Sequence, residues 1–162
     1  MEKIKRCLIA VGSTNFDELI SAIDNKQFIQ QQNYRGEYVP SRLQSEKIKV
    51  QIEKFIVLDT LIYESDLVIS HCGAGILLEC LRSDHAICIA VVNNTLMHNH
   101  QTELADQLSK EGYIFQATPQ TIADKTKEVI EIIRNSTLKD IIKQYPKVQE
   151  NLIVNLIDEI LF

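Results

Sequence analysis

Short apolar runs alternate with segments of helical periodicity over the first two thirds of the chain. Residues 6–12 (RCLIAVG) are mainly apolar and end at a glycine, whereas residues 16–23 carry apolar side chains at positions 16, 19, 20 and 23. The first pattern predicts a strand covered on both faces, and the second predicts one apolar face of a helix. A strand, a glycine turn and a helix in succession are typical of the start of an α/β fold.

The same alternation continues as far as residue 117. The turn-forming residues Gly36 and Pro40 lie in a predicted loop at 33–45. Strands and helices are predicted by their side-chain periods of about 2 and 3.6 residues. The predicted strands are 28–32 (a weak pattern), 48–52, 67–70, 87–92 and 113–117, and the predicted helices are 58–64, 76–82 and 99–111.

From residue 118 onwards the periodicity is helical throughout. Thr118 is a suitable N-cap and Pro119 suits a first helical turn, so a helix is predicted from Pro119 to about Arg134. A second helix is predicted at 138–144. Residues 148–162 repeat apolar side chains at helical spacing, with a stripe broad enough either to pack on the chain's own sheet or to dock on a partner.

Strands that alternate with helices predict an α/β fold, a Rossmann-like and mostly parallel sheet with helices on both faces. We expect a single domain over residues 1–162, in which 119–162 form a helical extension. Ligands bind such sheets at the carboxyl ends of the strands. The loops of interest therefore follow Val11, Ile52, Ser70, Val92 and Ala117.

Composition narrows the functional classes. The chain has 162 residues, of which 45% are hydrophobic and 24% charged, as in an ordinary soluble domain. The longest apolar run, Ala86–Val92, has seven residues, far short of the roughly 20 that span a membrane. The net charge is −5 and no dense Lys/Arg cluster occurs, so we expect no nucleic-acid partner.

The termini and cysteines favour a cytosolic protein. The apolar stretch from Cys7 to Val11 is too short for the core of a signal peptide. None of the four cysteines forms a C-x-x-C pair. In a reducing compartment, Cys7, Cys72, Cys80 and Cys88 are expected to be buried small hydrophobes.

The first loop of interest contains Gly12, Ser13 and Thr14. Glycine allows a ligand to approach the backbone, and the N-terminus of the following helix offers free N–H groups to an anion. A plain N-cap by Ser13 or Thr14 explains the same residues and is favoured when the loop is taken alone. The loop on its own therefore leaves anion binding and simple capping open.

The second loop, Ser70-His71-Cys72-Gly73-Ala74-Gly75, precedes a helix that carries Glu79. Its two glycines and the free N–H groups of the helix start could hold a diphosphate without a lysine. A carboxylate repels phosphate, so Glu79 suits a neutral pair of hydroxyls such as a ribose diol. The loop has neither a Gly-Lys-Ser/Thr nor a G-x-G-x-x-G pattern. A structural turn followed by a solvated glutamate is the alternative.

The third loop, from Asn93 into the helix at Glu103, is rich in neutral polar side chains. Asn99, His100 and Gln101 can form directional hydrogen bonds to sugar hydroxyls, which favours a carbohydrate. The alternative is a capped helix start with Asn99 as the cap.

Metal and nucleophile chemistry have weaker support. His98 and His100 have the spacing of a metal-binding pair, and His71 could join them in the folded chain. No third ligand is close to the pair in sequence, so we predict no metal site and no cofactor. A nucleophilic pair of Cys72 with a histidine is equally weak. The chain contains no Asp-x-Asp pair of the kind that often holds a divalent cation in sugar-nucleotide enzymes, which favours diphosphate binding by the helix dipole and backbone.

Taken in this order, the loops resemble those of a known family. The chain looks like the soluble, UDP-GlcNAc-binding subunits of the eukaryotic dolichol-linked N-acetylglucosamine transferase. These subunits are similar to the C-terminal half of the bacterial GT-B enzyme that transfers GlcNAc to a lipid-linked acceptor in peptidoglycan synthesis (family 28). The resemblance extends over about residues 5–117 and is carried by VGSTNFDELI (11–20), FI (55–56), SDLVISHCGAGILLECL (65–81) and VVNNTLMHNHQTELADQL (91–108).

The resemblance implies a role for each loop in binding UDP-GlcNAc. Phe55 and Ile56 would contact the uracil, the Gly73-Ala74-Gly75 turn the diphosphate, and Glu79 the ribose. The sugar ring would meet Asn99, His100, Gln101 and Glu103. Gly12, Ser13 and Thr14 would face the cleft near the diphosphate or acceptor. His71 is expected among the substrate-binding residues and is the candidate for catalysis.

The resemblance also implies that this chain is half of an enzyme. A membrane-anchored partner subunit would supply the site for a lipid-linked acceptor, dolichyl-diphosphate-GlcNAc, which receives its second GlcNAc. The chain would then be cytoplasmic and recruited to the cytosolic face of the endoplasmic reticulum. Ile76 departs from the family, where Ser or Thr can reach a phosphate. Two alternatives are another GT-B-type UDP-sugar enzyme fragment and a non-catalytic α/β interaction module.

Overall fold

The computed structural model describes residues 4, 6–11, 16–24, 58–83, 85–92, 100–136 and 138–146, with only the backbone at 100, 101, 138 and 139. Within them lie four strands and six helices. The strands are β1 (Cys7–Ala10), β2 (Leu67–His71), β3 (Ile87–Val91) and β4 (Phe115–Ala117). The helices are α1 (Asp17–Ile23), α2 (Leu58–Tyr63), α3 (Ala74–Arg82), α4 (His100–Lys110), α5 (Ile122–Asn135) and α6 (Leu138–Ile141).

The four strands form one parallel sheet in the order β1-β2-β3-β4. A single row of residues, Ile9, Ile69, Ile89 and Phe115, crosses all four strands in register. Because every strand runs the same way, all four carboxyl ends lie along one edge of the sheet. This confirms the predicted α/β class. The loops after the strands lie along this edge, where ligands bind in parallel α/β sheets.

Side chains that alternate along β2 and β3 build a separate core on each face of the sheet. Val68 and Cys88 pack on one face in a cluster with Ile62, Leu77 and Ala105, which belong to α2, α3 and α4. On the opposite face, a second cluster joins Ile69 and Ile89 to Leu19 of α1 and Val129 of α5. Helices thus cover both faces, and every residue of β3 is buried, which explains its uninterrupted apolar sequence.

The first strand is less buried than its sequence predicted. The apolar run 6–12 was expected to be a fully covered strand, but β1 is shorter and only Ala10 in it is buried. Among the described residues, β1 pairs with β2 alone. A strand with one paired neighbour has less of its surface covered than a central strand, which accounts for the difference.

Two helix starts differ from the prediction. Helix α3 begins at Ala74 rather than at residue 76, because the turn after β2 is shorter than expected. Helix α5 begins at Ile122, and Thr118 is not its N-cap. Instead, the Thr118 N–H donates to Oγ1 of Thr121 at 2.9 Å, and the Thr121 N–H donates to the Thr118 carbonyl at 3.0 Å. These two hydrogen bonds close a turn over residues 118–121, and α5 begins only after it.

The remaining predicted elements are confirmed to within a few residues. The largest differences are the start of β4, two residues after the predicted 113, and the end of α6, three residues before the predicted 144. The predicted strands 28–32 and 48–52, the loop 33–45 and the helix 148–162 lie outside the described residues. In the part of the chain that the structure describes, no helix is long and apolar enough to cross a membrane.

The adjacent residues Leu77 and Leu78 test the packing of α3. Leu77 is fully buried against the sheet, whereas Leu78 is 43% exposed. We expect Leu77→Ala to lower the free energy of unfolding by about 2–5 kcal/mol, since it removes buried methyl groups and leaves a cavity. Leu78→Ala should cost less than about 1 kcal/mol. Urea unfolding of both variants checks this, and equal losses would show that α3 does not pack as described.

Candidate functional site

The candidate site is built on the turn between β2 and α3. β2 ends at His71, and Gly73 is the N-cap of α3 with φ −71° and ψ 127°. The Gly73 carbonyl accepts the Leu77 N–H at 3.1 Å, which closes the first turn. No side chain of a described residue caps this helix start. The first N–H groups of α3 therefore keep their capacity to bind an anion at the ligand edge of the sheet.

The two glycines of the turn serve different purposes. A Cβ atom on Gly73 would lie 2.2 Å from Nε2 and 2.6 Å from Cε1 of His71, so the imidazole packs directly across this glycine. A Cβ atom on Gly75 would meet no atom of the described residues within 4 Å, and Gly75 is exposed. Gly73 thus permits a close internal contact, whereas Gly75 leaves the outer surface of the helix start open to a ligand.

His71 is held in a partly desolvated position. Its Nδ1 is buried and has no hydrogen-bond partner among the described residues. Burial lowers the pKa of His71, and the nearby Ala10 carbonyl opposes this shift only in part. The imidazole is therefore neutral at pH 7, and a neutral imidazole can donate one hydrogen bond and accept another.

Glu79 lies on the same face of α3 as Gly75, four residues further along. It lies five positions after Ala74, a rise of about 7.5 Å along the helix axis. Because Gly75 has no side chain, no described residue covers the helix surface at Gly75, between the helix start and Glu79. The earlier start of α3 places Glu79 in the second turn rather than next to the first.

Ile76 is turned away from this surface. Its side chain is buried in the core cluster beneath α3, so it does not reach the anion-binding end of the helix. The hydroxyl that the resemblance implied at this position is absent, so position 76 can offer a ligand only its backbone N–H. The replacement removes one side-chain contact and leaves the helix start itself intact.

The third loop is described only where its helix begins. α4 starts at His100, directly after the residues that follow β3, and Glu103 is an exposed acidic residue of its first turn. The backbone places His100 and Gln101 at the N-terminus of α4. The other predicted site residues, Gly12, Ser13, Thr14, Phe55, Ile56 and Asn99, lie outside the described residues.

Two polar contacts near the site were not predicted. Arg82 Nη1 donates to Oε1 of Glu79 at 2.6 Å. Gln116 of β4 donates from Nε2 to Oδ1 of Asp106 at 2.5 Å, which ties α4 to the sheet. The i,i+3 spacing of Glu79 and Arg82 could have indicated the first contact. The second joins residues of different elements, and no local pattern signals it.

No disulfide links the four cysteines of the described residues, and the environment of Cys72 favours its thiol form. Cys72, Cys80 and Cys88 are buried as predicted, whereas Cys7 is half-buried. Burial and the nearby Asp106 carboxylate raise the pKa of Cys72 to about 12. A thiol with this pKa is a poor nucleophile at pH 7, which argues against a catalytic Cys72.

No three His, Cys, Asp or Glu side chains are grouped to hold a metal ion in the described part of the chain. His98, one of the three histidines considered as ligands, lies outside that part. His71 is described, and its contacts are with the backbone of its own turn and the end of β1.

The family model and the related sequences assign this chain to the same family. The model of the glycosyltransferase family 28 C-terminal domain matches residues 6–152. The UDP-N-acetylglucosamine transferase subunit ALG13 of Mus musculus is 37% identical over 134 residues, which cover 74% of this chain and 11% of that protein. The subunit of the same name from Homo sapiens is 40% identical over 129 residues, 71% of this chain and 11% of that protein.

A fungal relative is shorter. The subunit ALG13 of Cryptococcus neoformans is 33% identical over 102 residues, covering 62% of this chain and 48% of that protein. The match thus spans about a tenth of the length of the two mammalian relatives and about half of the fungal one.

Solved structures agree on the fold. The NMR structure of ALG13 superposes with a TM-score of 0.56 at 21% identity, covering 95% of both chains. The crystal structure of MurG from Acinetobacter baumannii superposes with a TM-score of 0.61 at 19% identity, covering 98% of this chain and 50% of that one. At these identities the likeness establishes the fold alone, and it supports the Rossmann-like architecture derived above.

The partial burial of His71 predicts that its imidazole has a lowered pKa. We expect its pKa, followed by NMR of the imidazole Cε1–H, to lie below the ordinary value of about 6.5. Since the folded pKa is lowered, the unfolded state binds more protons, and stability should fall as pH drops through the ordinary pKa. His71→Gln assigns the resonance. A pKa at or above the ordinary value would contradict the described burial of the ring.

Proposed function

This chain belongs to the glycosyltransferase family 28 C-terminal domain family, and we propose that it is the donor-binding subunit of a UDP-N-acetylglucosamine transferase. The observation that carries the proposal is the outer face of α3, where an uncapped helix start, the exposed Gly75 and the Glu79 carboxylate follow one another. Relatives from three organisms are named UDP-N-acetylglucosamine transferase subunits, which supports the same donor.

The donor's diphosphate would bind at the N-terminus of α3. Backbone N–H groups and the positive end of the helix dipole favour an anion there. The neutral His71 imidazole lies beside this turn and can donate a hydrogen bond to a phosphate oxygen. Cys72 is buried in the core, and its side chain is given no contact with the donor in this proposal.

The nucleoside would extend from the diphosphate along α3 to Glu79. A carboxylate accepts hydrogen bonds from both hydroxyls of a ribose diol, which a phosphate could not provide. The rise of about 7.5 Å between the helix start and Glu79 is of the size that separates a diphosphate from the diol of its nucleoside. Phe55 and Ile56 are proposed to contact the uracil.

The sugar would face the start of α4. Asn99, His100 and Gln101 are proposed to bind the GlcNAc hydroxyls, together with Glu103, which is exposed in the first turn. Gly12, Ser13 and Thr14 are proposed to line the cleft where donor and acceptor meet. This assignment rests on the resemblance of these segments to the family.

During transfer, a hydroxyl oxygen of the acceptor attacks C1 of GlcNAc, and the bond from C1 to the diphosphate oxygen breaks. UDP leaves with the electron pair, and the hydroxyl proton passes to a base. Negative charge then grows on the β-phosphate, where the N–H groups of α3 and the His71 imidazole can stabilise it. We propose that a membrane-anchored partner subunit supplies the acceptor site and the base.

The finer assignment follows the relatives. We propose that the acceptor is dolichyl-diphosphate-GlcNAc, which receives its second GlcNAc, and that the partner recruits this chain to the cytosolic face of the endoplasmic reticulum. Activity that is reconstituted only when a membrane subunit is added would support this assignment. Full activity of this chain alone on a water-soluble acceptor would contradict it.

Glu79→Ala tests the donor site. Hydrogen bonds to a charged group contribute about 1.5–3 kcal/mol, so UDP-GlcNAc should bind roughly tenfold or more weakly. Glu128→Ala is the matched control, because Glu128 of α5 also forms an i,i+3 ion pair, with Lys125. Calorimetry of both variants checks this. Equal affinities for Glu79→Ala and the unsubstituted chain would refute the ribose role.

Donor binding is expected to be insensitive to chelation. The proposed diphosphate site consists of backbone N–H groups and an imidazole, and the sequence contains no Asp-x-Asp pair. Calorimetric titration with UDP-GlcNAc in EDTA should therefore give the same affinity as titration with added Mg²⁺. Loss of binding in EDTA would show that the diphosphate is held through a divalent cation.

A further inference from the structure

We propose that Arg82 is a positioning residue that holds the Glu79 carboxylate in the orientation in which it accepts hydrogen bonds from the ribose of the donor. The inference rests on the proposed function, because it takes Glu79 to face the nucleoside. It adds a residue that the family resemblance does not place in the site. Arg82 itself contacts the carboxylate and not the ligand.

The first argument is the geometry of the pair. Arg82 Nη1 donates to Oε1 of Glu79 at 2.6 Å, and the two residues lie three positions apart on α3. The Glu79 side chain is 36% exposed and the Arg82 side chain 64% exposed. No other described residue donates to this carboxylate, so Oε2 is available to a ligand while Oε1 is held by the guanidinium.

The second argument is the cost of ordering a flexible carboxylate. A free glutamate side chain samples several rotamers, and a ligand that fixes it must offset the lost entropy. The planar guanidinium of Arg82 reduces that freedom before the ligand arrives. An exposed ion pair contributes little to overall stability, so the main effect of Arg82 should be on the orientation of Glu79 rather than on the fold.

The third argument is electrostatic and defines the control. Arg82 lies in the last turn of α3, where a cation interacts favourably with the helix dipole. Arg134 likewise lies in the last turn of α5 and is exposed. Arg134→Ala therefore removes the same charge from the same kind of helix terminus at a place with no contact to Glu79.

The test compares the affinities of the full chain for UDP and 2′-deoxy-UDP, measured by calorimetry in the variants Arg82→Ala, Arg82→Lys, Arg134→Ala and Glu79→Gln. The ratio of the two affinities reports the 2′-hydroxyl, one of the two that Glu79 is proposed to bind. We expect Arg82→Ala to lower UDP affinity about two- to fivefold and 2′-deoxy-UDP affinity by a smaller factor, because the deoxy nucleotide keeps only the 3′-hydroxyl. Arg82→Lys should restore part of the ratio, and Arg134→Ala should leave it unchanged.

Loss of charge alone would weaken both nucleotides equally, since both carry the same diphosphate. An unchanged ratio in Arg82→Ala, or tighter UDP binding, would overturn the positioning role. Glu79→Gln separates this failure from that of the proposed function. If Glu79→Gln lowers the ratio and Arg82→Ala does not, only the role of Arg82 is wrong. If Glu79→Gln leaves the ratio unchanged, or the unsubstituted chain does not bind UDP, the donor site itself is wrong.

Discussion

Burial of β2 and β3 on both faces fixes the position of α3, and the candidate site is built on the first two turns of that helix. Leu67, Val68 and Ile69 are fully buried, and so are their partners in β3. Helices must cover both faces of such strands. α3 provides part of this cover through Ile76, Leu77 and Cys80, which orients its opposite face, with Gly75 and Glu79, outward.

The turn that connects β2 to α3 places the N-terminus of α3 at the edge of the sheet, where it can bind a ligand. Gly73 allows the His71 imidazole to pack across the backbone, so the turn is compact and the helix starts at once. The uncapped N–H groups then lie at the edge where all four parallel strands end. An anion-binding helix start and a carboxylate one and a half turns later are suited to a ligand with a diphosphate at one end and a diol at the other.

The sequence was most informative where burial dictates residue type. The correct class of fold followed from three patterns. These are the apolar run of β3, the succession of strand, glycine turn and helix, and the helical spacing after residue 118. It was least informative where the outcome depends on a few hydrogen bonds. The Thr118–Thr121 turn moved the start of α5, and the lower burial of β1 follows from its pairing. The periodicity of apolar residues along the chain does not predict such hydrogen bonds or strand pairings.

At the candidate site, the order of loops and the Gly73 to Glu79 spacing were visible in the sequence. The packing of His71 on Gly73 and the contact of Asp106 with Gln116 were not, because both depend on distances in the folded chain. Ile76 shows the difference most clearly. From the sequence, Ile76 is noticed because it lacks the hydroxyl that the resemblance implied. In the structure, its side chain belongs to the core.

The most direct test of the account is an NMR titration of the isotopically labelled chain with UDP-GlcNAc, with UDP-glucose and NADH as controls. The account predicts that the backbone amides from Gly73 to Glu79 and from Asn99 to Glu103 shift selectively with UDP-GlcNAc. Amides of α5 and α6 should not move. The absence of shifts between Gly73 and Glu79 at millimolar UDP-GlcNAc would contradict the claim that the first two turns of α3 form the donor site.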